Sequence, residues 1–291
     1  MKQQWAGTTY GGEKMHRSLI ASLRYIDTRL LYLFAAIFVI PVCLVLNPSR
    51  KSAYDYFRNR LGYGRCRAAW ATYRNHCKFA QVVIDKFAMY AGKRFKVDIE
   101  GFEHFAALAS RPEGFVHLSS HIGNYEIAGY SLPSEQKRIN AVVYAHEKES
   151  VMRNRNSMFV KTNVSMIAIR QDMSHLYEID NELSAGNIVS FPTDRSAGAT
   201  KSVKVEFLGR EASFPQGPFS VATMRGLNVL AVNVMKEGLS RYKIYVTPLD
   251  YDRSQPRRAQ IEQLAKAYVA ELEKRVRQYP TQWFNFYDFW S

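Results

Sequence analysis

The sequence predicts an α/β fold: a central, mostly parallel mixed sheet flanked by helices, preceded by an N-terminal membrane-associated helical segment. Three observations lead to this prediction. Short β-branched runs alternate with helical stretches after residue 92, a long stretch with helical spacing of apolar residues precedes them, and an uncharged apolar segment lies near the N-terminus. Alternating strands and helices are typical of a parallel sheet that is covered by helices on both faces.

The N-terminal apolar segment, residues 30–46, contains 17 residues without a charge. This length is near the short limit for crossing a bilayer, which needs about 20 apolar residues. Pro41 is expected to kink a helix here. Basic residues flank both sides, so the positive-inside rule gives no orientation. A tilted single span, a segment that enters one leaflet and a buried core helix all remain open; we favour membrane attachment with the rest of the chain in the cytoplasm.

The remaining elements follow from periodicity. Apolar and aromatic residues at helical spacing predict a long helix over 65–90 that ends before Gly92. Strands are predicted at 95–99, 115–119, 141–144, 164–169, 188–191, 203–207, 229–234 and 242–246, and helices near 124–132, 147–161, 172–185, 216–226 and 257–279. The last helix is the clearest, since one apolar stripe runs from Ile261 to Val276 and Pro280 stops it.

The composition indicates a folded protein with an anionic partner. Of the 291 residues, 47% are hydrophobic, enough to bury a sizeable core, and 40 Lys and Arg against 26 Asp and Glu give a net charge of +14. Such a charge favours an acidic carrier protein, a membrane surface or nucleic acid as partner. The three cysteines (Cys43, Cys66 and Cys77) form no CxxC pair, so a reducing compartment is the default expectation.

The most informative stretch is GFVHLSSHIGNYEIAGY at 114–130. A predicted strand ends just before His121, and groups at the carboxyl ends of parallel strands face the ligand crevice. Glu126 lies five positions further on, so it approaches His121 only if the chain turns at Gly123 and Asn124. A histidine with a carboxylate on one ring nitrogen is a general base that takes a proton from a hydroxyl. This chemistry suits acyl transfer from a thioester without a protein nucleophile.

His117 and His121 also admit structural or metal-binding roles. A lone histidine at a strand end is more often structural than catalytic. His117 and His121 are four positions apart, but neither the HExxH order nor a third ligand at a recognised spacing supports zinc. The serine motif GxSxG and the phosphate loop GxxxxGK[ST] are absent from the sequence. We therefore expect no metal and no organic cofactor.

The motif HIGNYE (121–126) resembles the H-x4-D/E signature of the lysophospholipid acyltransferase superfamily. It most resembles the bacterial lipid A lauroyl/myristoyl acyltransferase branch, where the motif reads HxGNWE. Further segments resemble that branch in the same order: NIVSFPTDRSAG (187–198), VEFLGR (205–210), QGPFSVA (216–222), the strand at 226–234 and YPTQW (279–283). The closing YPTQWFNFYDFW departs from the branch and is closer to acyltransferases of aryl-polyene-type lipid clusters, so the acceptor need not be lipid A.

The resemblance implies a glycerolipid acyltransferase-like sheet in which His121 is the general base and Glu126 orients it. The residues expected to bind substrate are Asn124, Arg155, Asp194 and Arg195, with Arg153 nearly as good a choice as Arg155. Backbone N–H groups near Gly123 are expected to stabilise the oxyanion. The aromatic C-terminal cluster either packs on the core, lines an acyl tunnel or sits at the bilayer interface.

Together these features predict a membrane-associated acyltransferase with a basic, membrane-associated segment at 1–64 and a catalytic domain at 65–291. The donor is expected to be an acyl carrier protein thioester, with acyl-coenzyme A as second choice, and the acceptor a hydroxyl or amine of a lipid or glycolipid. The expected location is the cytoplasmic face of the inner membrane. A non-catalytic lipid-binding or scaffold protein is the alternative. No recognition motif supports binding of nucleic acid, which is not expected as a partner.

Overall fold

The central sheet has seven strands in the part of the chain that the computed structural model describes, which is residues 18, 20–132, 136–144, 163–170, 172–195 and 201–290. The strands are β1 (Lys96–Glu100), β2 (Phe115–Ser119), β3 (Ile139–Tyr144), β4 (Val164–Ile169), β5 (Ile188–Pro192), β8 (Val229–Lys236) and β9 (Arg241–Leu249). Their order is β1-β9-β8-β2-β5-β3-β4, and every neighbouring pair is parallel except β8 and β9. The predicted α/β class with a mostly parallel mixed sheet is confirmed.

A separate antiparallel hairpin joins β6 (Ser202–Phe207) to β7 (Arg210–Pro215). The sequence predicted β6 but not β7. The two turn residues, Leu208 and Gly209, both have positive φ, at 53° and 76°. A two-residue hairpin turn of this kind normally carries Asn-Gly or Asp-Gly, so Leu-Gly gives little sequence signal for it.

The helices are α1 (Thr28–Phe34), α2 (Ile40–Leu46), α3 (Arg50–Asp55), α4 (Arg65–Tyr90), α5 (Phe102–Ala109), α6 (Ala128–Ser131), α7 (Ser174–Ser184), α8 (Gln216–Met224) and α9 (Arg257–Gln278). The predicted long helix at 65–90 coincides with α4, and the apolar stripe of α9 is buried as expected. The helix α5 was not predicted. The helix expected at 147–161 lies outside the described residues.

Helices α1 and α2 form one apolar rod, because a π-helical turn at Ala35–Val39 joins them directly. In this turn the amide of Ile40 donates to the carbonyl of Ala35, five residues back. The wider turn accommodates Pro41, which lacks an N–H and whose ring crowds the preceding turn of an ordinary helix. The rod is long and apolar enough to cross a membrane, with 19 residues and a mean hydropathy of 2.5.

The rod rests on α4 with one face and leaves the other open. Tyr32, Ala35 and Ile40 are buried, and the hydroxyl of Tyr73 on α4 donates to the carbonyl of Ala36 at 3.0 Å. The opposite face is apolar and exposed along its length, at Leu30, Leu33, Phe34, Ile37, Phe38, Val42, Val45 and Leu46. Only 17% of the apolar window is buried, which is unlike a core helix.

The chain between the rod and α4 enters the main core. Tyr56 and Phe57 are 2% and 0% exposed and belong to the same apolar cluster as Trp283 and the stripe of α9. Tyr56 and Phe57 therefore pack with residues that follow position 64. The division of the chain at residue 64 stays a prediction from the sequence.

Candidate active site

The motif at the end of β2 turns sharply at Gly123, which has a φ of +60°. A Cβ at this position would lie 1.8 Å from the carbonyl oxygen of Val234, so only glycine fits. The backbone amide of Gly123 donates to the carbonyl of Gln282 at 2.8 Å, and that of Asn124 donates to the carbonyl of Val234 at 2.9 Å. The predicted turn between His121 and the following helix is present, and strand β8 and the C-terminal segment hold it on both sides.

His121 and Asp194 meet because their strands are neighbours in register. Strands β2 and β5 are parallel, and Ser119 pairs with Pro192 at their carboxyl ends. His121 lies two positions after Ser119, and Asp194 lies two positions after Pro192. Asp194 Oδ1 lies 2.7 Å from the ring Nδ1 of His121, and its Oδ2 accepts the backbone amide of His121 at 2.9 Å. The carboxylate thus fixes both the ring and the backbone of the histidine.

The expectation that Glu126 is the carboxylate at the histidine ring needs correction, because Asp194 lies at Nδ1. Glu126 is itself buried, and α4 supplies two of its partners. Its Oε1 lies 2.6 Å from Lys86 Nζ, and its Oε2 accepts a hydrogen bond from the hydroxyl of Tyr90 at 2.9 Å. Glu126 therefore ties the motif to α4.

The electrostatics of the pair favour an ionised Asp194. Burial alone would raise the pKa of this carboxyl, which is 2% exposed. The charge of His121, its hydrogen bonds and the nearby guanidinium of Arg195 outweigh burial and lower the pKa of Asp194. The ring of His121 remains 17% exposed at the carboxyl edge of the sheet. A partly exposed imidazole beside a buried carboxylate is an arrangement suited to accepting a proton.

The other predicted site residues take different positions. Asn124 is 3% exposed. Arg195, next to Asp194, is half-buried and donates from Nη2 to the carbonyl of Phe284 at 3.2 Å. Arg155 and its alternative Arg153 lie outside the described residues. The amides of Gly123 and Asn124 both donate to backbone carbonyls, so neither of these two is open to an oxyanion; the role expected for amides near Gly123 otherwise stays a prediction.

The aromatic C-terminal segment packs on the core and forms one wall of the site. Trp283 is 2% exposed and contacts the rings of Tyr56, Phe207 and Phe289. The backbone amide of Phe284 donates to the carbonyl of His121 at 3.1 Å. Of the alternatives left open by the sequence, packing on the core is the one observed for the buried rings.

His117, on β2 four positions before His121, lies in apolar surroundings. His117 is buried, its ring lies against Phe105 and Phe115, and burial lowers its pKa to about 3, which keeps it neutral. Among the described residues, no group of three or more His, Cys, Asp or Glu side chains is arranged to hold a metal ion.

Comparison with known proteins identifies the family. The model of the family described as bacterial lipid A biosynthesis acyltransferase matches residues 80–291. Among solved structures, the chain is similar to the crystal structure of the 1-acyl-sn-glycerophosphate (LPA) acyltransferase, PlsC, from Thermotoga maritima, with 15% identity, coverage of 94% of this chain and 99% of that chain, and a TM-score of 0.35. No curated protein matches the sequence.

The similarity to the solved structure is too distant to carry an argument, whereas the family match spans more than half of the chain and includes His121, Glu126 and Asp194. The chain therefore belongs to the bacterial lipid A biosynthesis acyltransferase family.

Proposed function

We propose that this acyltransferase is membrane-associated and moves a fatty acyl chain from a thioester to a hydroxyl or amine of a lipid acceptor, with His121 as general base. The observation that carries the proposal is the two-point contact of Asp194 with His121 at the carboxyl edge of the sheet. Asp194 replaces Glu126 as the orienting carboxylate. The family membership supports the reaction class.

The proposed step is a direct attack. Nε2 of His121, the ring nitrogen opposite the one that faces Asp194, takes the proton of the acceptor hydroxyl as its oxygen bonds to the thioester carbonyl carbon. The carbon–sulfur bond then breaks, and the imidazolium returns its proton to the thiolate that leaves. Asp194 holds the ring tautomer and stabilises the transient imidazolium. The products are the acylated lipid and a free thiol.

The apolar rod supports an acceptor that comes from a bilayer, because it approaches the edge of the sheet that carries the site. The hydroxyl of Tyr32, on the rod, donates at 3.3 Å to the carbonyl of Leu239, just beyond the carboxyl end of β8. Helix α4 connects the rod and the site. One part of α4 contacts the rod through Tyr73, and another holds Glu126 of the motif through Lys86 and Tyr90. A membrane on the exposed face of the rod would therefore lie near the mouth of the site. We propose attachment at the cytoplasmic face of the inner membrane.

The net charge of +14 supports an acidic donor, since complementary charge speeds association. We propose an acyl carrier protein thioester as donor, with acyl-coenzyme A as the second choice. Arg195, beside Asp194, is the proposed contact for an anionic group of donor or acceptor.

The activity is tested with purified protein, acyl carrier protein thioester and membrane lipid extract. Release of free thiol and formation of acylated lipid are expected with the wild type and not with His121→Ala. A His121→Ala variant that transfers acyl groups at the wild-type rate would refute the mechanism. Acyl-coenzyme A is tested in parallel, and a higher kcat/KM with that donor would reverse the order of the two donors.

Membrane attachment is tested through the exposed face of the rod. Phe34→Glu/Phe38→Glu places two charges on that face and should shift the protein from the membrane fraction towards the soluble fraction, because charge in the hydrocarbon region is costly. The matched control is Leu176→Glu/Tyr177→Glu, at exposed positions of α7. Equal fractionation of the two variants would reject the rod as the anchor.

A further inference from the structure

A cavity with an excess of positive charge lies at the start of the apolar rod. Its volume is about 440 Å³, within the usual range for small-ligand sites. Three cationic side chains line it, from Arg29, Lys93 and Arg94, together with one carboxylate, from Asp27. The carboxylate already accepts the backbone amide of Arg29 at 2.9 Å, and the cations outnumber it. The lining is therefore suited to a small anionic group.

The exposed apolar face of the rod begins directly after the last rod residue that lines the cavity. Arg29 is followed by Leu30, and Leu33 and Phe34 lie one turn further along the same surface. Tyr25, at the rim of the cavity, is 89% exposed, and tyrosine is enriched where a protein meets the headgroup layer. A cationic cavity joined to an apolar stripe matches a molecule with an anionic head and hydrocarbon tails.

The cavity also lies at the edge of the sheet that carries the site. Leu239 and Ser240, which line it, connect β8 to β9 beyond the carboxyl end of β8. The same end of β8 supplies Val234, whose carbonyl accepts the amide of Asn124 in the motif. A lipid headgroup bound in the cavity would therefore fix the distance between His121 and the headgroup layer of the membrane.

We propose that this cavity binds the phosphate of an anionic phospholipid, while the lipid chains lie along the exposed face of the rod. The site is separate from the one that holds the reacting acceptor, and it fixes the enzyme at the bilayer surface. The proposal rests on the membrane attachment proposed above. The group that the cavity would bind is a phosphate ester. Both a phospholipid and a small soluble molecule carry such a group, and the test distinguishes these two sources.

The test measures how added lipid raises the thermal stability of the detergent-solubilised full chain, since a ligand stabilises the folded state that it binds. Phosphatidylglycerol should raise the Tm of the wild type, and phosphatidylcholine should not. Arg29→Gln/Arg94→Gln should weaken the apparent affinity for phosphatidylglycerol about 25-fold, because each basic side chain near an anionic surface contributes about fivefold. Arg29→Lys/Arg94→Lys should retain most of the affinity.

The control variant is Arg258→Gln/Lys266→Gln, which removes the same charge from exposed positions of α9 in a different cavity. It should respond to phosphatidylglycerol as the wild type does. An equal response of both Gln variants would overturn the proposal, and so would a wild type that phosphatidylglycerol does not stabilise. A Tm shift with glycerol 3-phosphate as large as that with phosphatidylglycerol would overturn the assignment to a lipid. The underlying proposal of membrane attachment fails in a different way: the wild-type protein would then be found in the soluble fraction of cells.

Discussion

Asp194 accepts two hydrogen bonds from His121, one from the ring Nδ1 at 2.7 Å and one from the backbone amide at 2.9 Å. The two residues are 73 positions apart in the sequence and meet because each follows a neighbouring parallel strand. The carboxylate therefore fixes the orientation of the imidazole at two points. The chemistry proposed for this enzyme depends on that contact.

Asp194→Asn should lower kcat by about 10²- to 10⁴-fold, the contribution typical of a general base, because the amide cannot stabilise the imidazolium. Glu126→Gln should lower kcat less, since Glu126 contacts Lys86 and Tyr90 on α4. The measurement is steady-state thiol release with saturating lipid. Asp172→Asn, at an exposed position, is the control and should leave kcat unchanged. A larger loss for Glu126→Gln than for Asp194→Asn would restore Glu126 as the orienting residue.

The stability of the protein should depend on pH through Asp194. Burial opposes ionisation, but His121 and Arg195 lower the pKa of Asp194 below its ordinary value. A carboxyl with a lower pKa in the folded state stabilises that state above the unfolded pKa of about 4, and this stabilisation is lost as the pH falls through the folded pKa. Asp194→Asn should thus be less stable than the wild type at pH 7, and the difference should vanish in strong acid. A difference that grows as the pH falls below 4 would contradict the pKa direction.

Gly123→Ala should destabilise the fold by more than about 1 kcal/mol, because alanine is strained at a φ of +60° and its Cβ would meet the carbonyl of Val234 at 1.8 Å. The turn that presents His121 should shift, and activity should fall with it. Gly217→Ala is the matched control: it has nothing within 4 Å of the added carbon and lies in α8. Thermal unfolding measures both variants, and equal melting temperatures would argue against the described turn.

A buried ion pair joins the rod, α4 and the sheet. Lys236 on β8 contacts Asp85 on α4, both side chains are 0% exposed, and Asp85 also accepts hydrogen bonds from the hydroxyls of Tyr32 and Tyr242. Burial raises the pKa of Asp85 and lowers that of Lys236.

Lys236→Met leaves the buried carboxylate of Asp85 without its cation and should lower the free energy of unfolding by about 3–5 kcal/mol. Adding Asp85→Asn removes that charge while its amide oxygen still accepts a tyrosine hydroxyl, so the double variant should recover part of the loss. Chemical denaturation measures both. A single variant as stable as the wild type would show that the pair is not buried as described.

The fold was largely predictable from the sequence, because the central strands β2, β5 and β8 are largely buried apolar runs and the long helices have a clear apolar stripe. The elements that were not predicted were missed for local reasons. Strand β7 follows a Leu208–Gly209 turn without a typical turn sequence, and α5 is a short helix of eight residues. The position of His121 at a strand end was predictable in the same way, since it depends only on the end of β2.

The partner of His121 was not predictable from spacing alone. Glu126 is close in sequence and Asp194 is distant, but the order of the strands decides which carboxylate reaches the ring. Two signals pointed to Asp194 as a site residue: it follows a predicted strand, as His121 does, and it lies in the segment 187–198 that resembles the family. Neither signal placed it at the ring of His121. The contacts of Glu126 with Lys86 and Tyr90 depend on where α4 crosses the sheet edge, which the periodicity of a helix does not specify.

The most direct test of the mechanism is a double-mutant cycle in kcat between His121→Ala and Asp194→Ala, measured by thiol release from the thioester donor. If Asp194 acts through the imidazole, the double variant should be no slower than His121→Ala alone, within about threefold, because residues that act as a unit are strongly non-additive. If the two losses multiply instead, the residues act independently, and the account of a single histidine–carboxylate base is contradicted.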